Sequence, residues 1–427
     1  MLIRYRRTED GRPVAKALVY TQKEHHIQRS ALDPDAVRIV ERLRESGHEA
    51  YIVGGAVRDL LLGRRPKDFD IVTSAEPPRI KRLFRSARII GRRFRLVHVY
   101  AGSKIFEVST FRSIANGTIG NEYGTVDEDA LRRDFTLNAL YYDPLDSILV
   151  DYVGGFRDME ARRIRPVIAL GTIFREDPVR MIRCVKYAAM AGFGIPFSLR
   201  RRLRRDSKLL VSASPSRLTE EFLKILTSGS AADIVRGLRK FDLLRHMAPQ
   251  AAELACSNAA YGLALDAALV EMDEAARDRS HERRLALLLA HYLRPFLEID
   301  AGRFNDTPDA FRDAVHEARL FLAPLNPPRV ELEAAVLMLF KRRGLSPLQK
   351  PRRSPADRAA VSGERRSASQ AERHGTTKKE GRDGHATGAE AETVLRRRRR
   401  KRRRKPTGGN LSGPGATPSP PTVPESP

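Results

Sequence analysis

The sequence predicts an α+β chain: an N-terminal head of mixed β-sheet and helices, an all-α neck and body, and a disordered basic C-terminal tail. Three observations predict it. Between residues 35 and 112, short runs rich in β-branched and aromatic residues alternate with amphipathic stretches. After about Arg132 the apolar spacing becomes helical. From about Lys350 apolar residues thin out and charge, Ser, Gly and Pro take over, a composition that cannot bury a core. The expected segments are a polar basic arm over 1–30, the head over 31–160, a neck over 161–230, a body over 231–345 and the tail over 346–427.

Each element has a local reason. Pro34 opens a helix that turns Val37, Val40 and Leu43 to one side and stops at Gly47. AYIV, residues 50–53, is a short strand, and the glycine pair after it reads as a tight turn into the helix AVRDLLL, closed by Gly63. FDIVTS is a second strand. PPRIKRLFRS is an amphipathic helix with Ile80, Leu83 and Phe84 inward. ARII, RLVHVYAG and KIFEVSTF are three further strands, the last two joined by a hairpin at AGSK. Residues 176–193 place Val179, Ile182, Val185 and Ala189 at helical spacing and close at Gly192. SPSRLTEEFLKILTSG and SAADIVRGLRKFDLLRHMAP are two more amphipathic helices, and LALLLAHYL (285–293) is a buried one. No internal repeat is visible.

Composition narrows the function. The 427 residues carry a formal charge of +25 and a pI near 10.5, which suits a polyanionic partner, either nucleic acid or an acidic membrane surface. From Lys350 onward 20 basic and 8 acidic residues leave +12, so residues 1–349 keep +13 and the folded part is basic by itself. Cys184 and Cys256 are the only cysteines, too few for a disulfide framework or a four-cysteine zinc site, and the ten histidines show no ligand spacing. His98, between Val97 and Val99, reads as a sheet residue rather than a ligand. The N-terminus lacks the apolar core of a signal peptide and no run approaches the length of a membrane span. A reducing, cytoplasmic setting with no membrane span is therefore expected.

The chemistry centres on GRRPKDFDIV, residues 63–72. Asp68 and Asp70 are two apart, so on a strand they face the same side. Uncompensated, such a pair repels and one acid takes up a proton. A divalent cation resolves the conflict, and oxygen-only ligands suit Mg²⁺. Glu107, on a neighbouring strand in KIFEVSTF, is the candidate third acid. Solvated surface acids are the competing reading of the pair taken alone. Gly54 and Gly55 let a backbone approach a ligand just before a helix start, which favours phosphate, and Arg58 follows on the first turn. A phosphate cradle followed by metal-binding acids in one α/β unit is what phosphoryl or nucleotidyl transfer requires. Neither the Walker A nor the kinase glycine-loop pattern occurs.

GGAVRDLLLG…KDFDIVTS, FEVSTFR, RRDFTLNALYYD and FREDPVRMIRCVKYAAMAGF, in that order from about Val53 to about Pro249, resemble the class II tRNA nucleotidyltransferase/bacterial poly(A) polymerase family. IIGRRFRLVHVY (89–100) and DYVGGFRDM are most like its poly(A) polymerase branch. The resemblance implies a nucleotidyltransferase head that adds AMP from ATP to RNA 3′ ends without a template, with CCA addition to tRNA as the runner-up and a catalytically silent RNA-binding protein as a third reading. It implies that Asp68 and Asp70 hold catalytic metal, that Glu107 supports them and that Asp134 is essential. It implies that Gly54, Gly55 and Arg58 form the triphosphate turn, and that Arg132, Arg133 and Asn138 contact the nucleotide. Asp177 and Arg180 match the pair that reads the incoming base, with Arg183 one turn further on. A carboxylate accepts from an exocyclic amine and a guanidinium donates to a ring nitrogen, so one such pair accepts A and C and refuses G and U. Without the other motifs, Asp177 and Arg180 read first as an ordinary i,i+3 ion pair on a helix. Expected partners are RNA 3′ ends, ATP and the RNA-degradation machinery, with the chain acting as a monomer.

The tail holds ten consecutive basic residues: Arg396, Arg397, Arg398, Arg399, Arg400, Lys401, Arg402, Arg403, Arg404 and Lys405. RNA-backbone tethering with steep salt dependence is the leading expectation. An acidic partner, a membrane surface and a solvated appendage are the alternatives.

Overall fold

Nine strands form in the computed structural model, which describes residues 2–7, 13–91, 95–114, 122–277, 284–298, 302 and 304–347. They are β1 (Leu2–Arg7), β2 (Pro13–Thr21), β3 (Ala50–Val53), β4 (Asp70–Thr73), β5 (Ala87–Ile90), β6 (Leu96–Ala101), β7 (Lys104–Thr110), β8 (Leu140–Asp143) and β9 (Ile148–Asp151). All nine join one sheet in the order β1-β2-β9-β8-β3-β4-β7-β6-β5. Every neighbouring pair is antiparallel except β4 with β7, which run parallel. That parallel pair needs a long crossover. The helix Pro77–Leu83 and the strands β5 and β6 supply it.

The five strands and two short helices expected between residues 50 and 112 form as read, and so does the helix Pro34–Glu45, capped by Asp33, whose side chain accepts from the Asp35 N–H. Its buried face is Ala36, Ile39, Val40 and Leu43, with Val37 only partly covered. Two expectations that bear on the sheet are corrected. The segment expected as a basic arm instead supplies β1 and β2, and β2 pairs with β9. Within KALVY, Ala17, Val19 and Tyr20 are buried, so a strand was present beneath a basic average composition. The helical pattern expected after Arg132 is also interrupted by β8 and β9. Leu140, Tyr141, Tyr142 and Asp143 of β8 are all buried, and a strand covered on both faces lacks the period-two signal.

The sheet packs on both faces. Ile52, Ile71, Val97 and Val108 join the large core with the helices. Tyr51, Val53, Val72, Phe111, Tyr141 and Val150 form a smaller cluster on the other face. The head then hands over to the neck through a cluster around Asp158. This fully buried carboxylate accepts from Thr136 Oγ1 at 2.8 Å, Arg163 Nε at 2.8 Å and Arg165 Nε at 2.7 Å. Asp151 caps the turn before it, accepting from the N–H groups of Val153, Gly154, Gly155 and Phe156.

Beyond the head the described chain is helical. Val179–Ala191 ends on Gly192 in the left-handed conformation, as expected. Pro215–Leu226 starts at Ser214, whose hydroxyl accepts from the Arg217 N–H. The single helix expected over 230–249 is two, Ala231–Lys240 and Leu244–Met247, broken where Asp242 takes a φ of 59°. Ala259–Arg277, Arg284–Leu297, Pro308–Leu322 and Arg329–Arg342 complete the body, with Phe296 stacked on Phe321 at 4.0 Å. No helix among the described residues is long and apolar enough to cross a membrane. The tail expected to be disordered, with its ten basic residues, lies outside the described residues.

Gly155 tests the head–neck packing. A Cβ there would sit 2.3 Å from the Thr136 carbonyl oxygen, a backbone atom that cannot swing aside. Gly155→Ala is expected to cost about 1–3 kcal/mol, read as a lowered urea midpoint.

Candidate active site

Three strand ends build the floor of a cleft. β3 leaves the sheet through Gly54, whose φ of 71° and ψ of −131° suit a residue without a Cβ. β4 begins at Asp70, paired with Val53. Asp68 therefore lies just before the strand rather than on it, a correction to the expected strand pair, although both acids reach the same cleft. The parallel register sets Ile71 beside Val108, and one step back the same offset puts Asp70 beside Glu107. A Cβ on Gly54 would lie 3.6 Å from Asp70 Oδ2, so the glycine turn and the acid are in contact range.

The segment between the helix Val126–Leu131 and β8 forms one wall, and the neck forms the other. Gly54, Gly55, Arg58, Asp68, Asp70, Glu107, Arg132, Arg133, Asp134, Asn138, Asp177, Arg180 and Arg183 all line this one cavity of about 920 Å³. Ten Lys and Arg side chains face seven Asp and Glu there, leaving the cleft net positive despite its acids. A cavity of this size with convergent polar groups suits a nucleotide.

The hydrogen bonds divide these residues. Arg133 is a fixed strut: it donates to Asp129 Oδ2 at 2.9 Å, the Tyr141 hydroxyl at 3.0 Å and the Asn138 carbonyl at 3.1 Å. Arg58 is buried, donating to Asp59 at 2.8 Å and to Asn138 Oδ1 at 3.3 Å. Asp134 is fully engaged. It accepts from the Phe135 N–H at 2.8 Å, Asn138 Nδ2 at 3.2 Å and Arg183 Nε at 2.7 Å. Burial works to raise its pKa, but Arg183 and these donors outweigh burial and hold it low. A carboxylate so occupied orients its neighbours, and its geometry is that of a positioning residue.

Asp70 is the opposite case. Enclosure by the cleft, then the charges of Glu107 and Asp68, push its carboxyl up to about 6 against the pull of Arg133. Its surface stays open to solvent within the cleft, so the shift, set first by enclosure and then by its acidic neighbours, carries only a modest stability term. Burial, then the neighbouring Arg112, lower Arg132 to about 10. Asp70 and Arg132 are thus each crowded by groups of their own sign.

The donor set fits a divalent cation in part. Among the described residues no three Asp, Glu, His or Cys side chains close into a ligand group, and Glu107 lies 3.7 Å from His98 across the strand pair. The expected third ligand is therefore not gathered in. Two carboxylates are nonetheless enough for an ion such as Mg²⁺, which keeps waters and takes substrate phosphates as its remaining ligands.

Asp177 and Arg180 do not share one helix as expected. Asp177 sits at the break between Ile173–Glu176 and Val179–Ala191, before Pro178. Both still face the cleft, 3.9 Å apart, and Arg180 also donates to Glu176 at 3.2 Å. Sequence reasoning missed the other side of this site. Arg217 donates to both Asp177 oxygens, at 2.7 and 2.5 Å. Arg217, Glu220, Lys224 and Ser228 line the cleft at helical spacing, a polar stripe visible in SRLTEEFLKILTS. Lys67 donates to the Thr227 carbonyl at 3.0 Å, tying the acid loop to the neck.

The comparisons agree with this architecture. Residues 50–165 match the poly A polymerase head domain, and residues 192–254 match a probable RNA and SrmB-binding site of polymerase A. Poly(A) polymerase I of Salmonella typhi is 36% identical over 314 residues, 69% of this chain and 68% of that protein. Poly(A) polymerase I of Escherichia coli O6:H1 is 40% identical over 247 residues, 54% of this chain and 53% of that protein. Among solved structures, the CCA-adding enzyme of Bacillus stearothermophilus in complex with CTP superimposes with a TM-score of 0.50 at 25% identity, over 80% of this chain and 94% of that one. Fold and cleft together are those of a nucleotidyltransferase. Within that class, the chain belongs to the class II tRNA nucleotidyltransferase/bacterial poly(A) polymerase family.

Two variants separate support from chemistry. Asp134→Ala leaves Arg183 with only the more distant Glu221 and removes the acceptor of the Phe135 N–H and the Asn138 amide, and is expected to cost about 3 kcal/mol in urea unfolding. Asp70 carries the sign opposite to a paired carboxylate. Its folded pKa lies above the unfolded one, so it adds no penalty below pH 4 and destabilises as pH rises through about 6. In EDTA, Asp70→Asn should therefore melt above the unaltered chain at neutral pH, with the gap closing towards pH 4.

Proposed function

We propose that this chain adds AMP from ATP to the 3′ ends of RNA without a template, using Mg²⁺. The observation that carries the reading is the convergence of all thirteen head and neck residues on one positively charged cleft. Asp68 and Asp70 would hold the ion. When bound, it supplies Lewis acidity that lowers the pKa of the RNA 3′-hydroxyl and shields phosphate charge.

The chain's own groups account for binding and orientation. The Gly54–Gly55 turn lets the triphosphate lie against backbone, beside Asp70. Arg58, Arg132 and Arg133 face the charge that accumulates on the phosphates and the leaving pyrophosphate. Arg133 is locked by Asp129, Tyr141 and Asn138, so it meets that charge without reorganising. Glu107 sits beside Asp70 and, through charge, keeps the acid pair selective for a cation.

Asp177 and Arg180 are the base readers in this account. A carboxylate and a guanidinium side by side match the amine and ring nitrogen of adenine. Arg217 fixes the plane of the Asp177 carboxylate through a bidentate pair. Cytosine offers the same two groups, so the pair by itself also fits the CCA-adding alternative. The identity to poly(A) polymerases over two thirds of the chain favours the adenylating reading.

The deciding experiment offers a short RNA, a tRNA, Mg²⁺ and each nucleotide separately. Long extension with ATP alone is expected, and Asp70→Asn should abolish it while leaving the circular-dichroism spectrum unchanged. Addition that stops after C, C and A on the tRNA would replace this reading with CCA addition, and no product at all would leave an RNA-binding protein.

A further inference from the structure

The neck helix Val179–Ala191 presents one aromatic ring to the cleft, Tyr187. Three cations stand over that ring: Lys186 Nζ at 4.9 Å from its centroid, Arg58 Cζ at 5.4 Å and Arg183 Cζ at 5.5 Å. All three lie inside the ~6 Å reach of a cation–π contact. Phe135, fully buried, meets the ring edge-on at 6.2 Å and an interplanar angle of 77°, which fixes its plane. Arg58 belongs to the head helix Gly55–Leu61, so the ring also spans the head–neck joint. Burial pushes the Tyr187 hydroxyl up to about 12, and the ring is uncharged at neutral pH.

Each cation has a carboxylate of its own: Asp59 for Arg58, Asp134 for Arg183 and Glu221 for Lys186. Tyr187 is the group that all three share. Arg183 and Lys186 are like charges three apart on one helix, and Arg58 brings a third across the joint, an arrangement that repels. A further carboxylate at 187 would relieve the repulsion by cancelling charge. A ring face attracts cations through its quadrupole and leaves their charge in place. The difference matters most for Arg58, whose guanidinium is bounded by the ring and by the glycine turn. Its Nη2 lies 3.6 Å from where a Cβ on Gly55 would be, and its Nη1 donates to Asn138 Oδ1 at 3.3 Å. An arginine already set on that turn meets a polyphosphate without first losing side-chain freedom.

We propose that Tyr187 is a positioning residue for the polyphosphate of the substrate: its ring face holds Arg58 against the glycine turn, with Arg183 and Lys186 gathered on the same ring and all three left charged. The inference rests on the nucleotide-binding reading of the cleft and adds to it the residue that sets the phosphate grip. Plain packing is the competing role. A ring that only filled space would serve equally well with its electron density withdrawn, whereas a ring that holds cations would not.

The test uses the full chain and follows binding of tripolyphosphate with Mg²⁺ by calorimetry. Tyr187→Phe, which keeps the ring face and drops the hydroxyl, is the conservative rescue and should bind within about twofold of the unaltered chain. Its mono-, di- and trifluorinated forms keep the shape and withdraw the negative face stepwise. Affinity should fall with each fluorine, roughly tenfold by the third, at an unchanged melting temperature. In an Arg58→Gln background the same series should lose less than about threefold, because the residue that the ring positions is gone. A flat series in the unaltered background, or the same slope with and without Arg58, would overturn the inference and leave Tyr187 a packing residue. A flat series in a chain that extends RNA overturns this inference alone. The graded loss in a chain that extends no RNA would instead overturn the AMP-transfer reading and support the role of Tyr187.

Discussion

The cleft depends on one constraint: strand register sets two carboxylates, Asp70 and Glu107, beside each other, with Asp68 just before the strand. β4 and β7 run parallel with Ile71 against Val108, so Asp70 meets Glu107 whatever their charges prefer. β3 puts Gly54 against the same acid. The sheet is continuous and buried on both sides of these strands, so moving one acid away means slipping a strand and turning its core residues outward. The result is an acid whose carboxyl is pushed up to about 6 in an otherwise cationic cleft. Such a group is a vacancy for positive charge, while the arginines around it are a vacancy for negative charge. A metal-bound nucleoside triphosphate carries both.

A second set of contacts sets the distance across the cleft. Asp134 belongs to the head and Arg183 to the neck helix, and their 2.7 Å bond is supported by the buried Lys186–Glu221 ion pair one turn along. Lys67, next to the acid pair, reaches the end of the helix that carries Arg217. Head and neck are therefore joined by the same residues that line the site. Loss of either partner in the buried Lys186–Glu221 pair takes the main counter-charge from a side chain that solvent does not reach. The stability of the joint and the geometry of the cleft are one property.

Much of this was legible in the sequence, for physical reasons. Strands β3 to β7 are short runs bounded by Gly, Pro and Asp, and the glycine turn and acid spacing lie on consecutive elements, so local chemistry located them. What was not legible depended on tertiary context. β8 is buried on both faces and shows no alternation, and β2 is a strand within a basic segment. The resemblance marks Asp134 as essential, but its three donors could not be read from spacing. Arg217 is 40 positions from Asp177, and only packing of the two neck helices makes them a pair. The offset of Asp68 from the start of β4 shows the same limit: spacing identified the residues, and only the fold gave their roles room to differ.

The central claim is that Asp68 and Asp70 together receive the cation that accompanies the nucleotide. Anomalous diffraction from crystals soaked with Mn²⁺ and a non-hydrolysable ATP analogue tests it directly. A manganese peak bridging those two carboxylates and the analogue's phosphates, on the Gly54 side of the cleft, is the expected result. A nucleotide bound with its metal away from both aspartates would contradict the account.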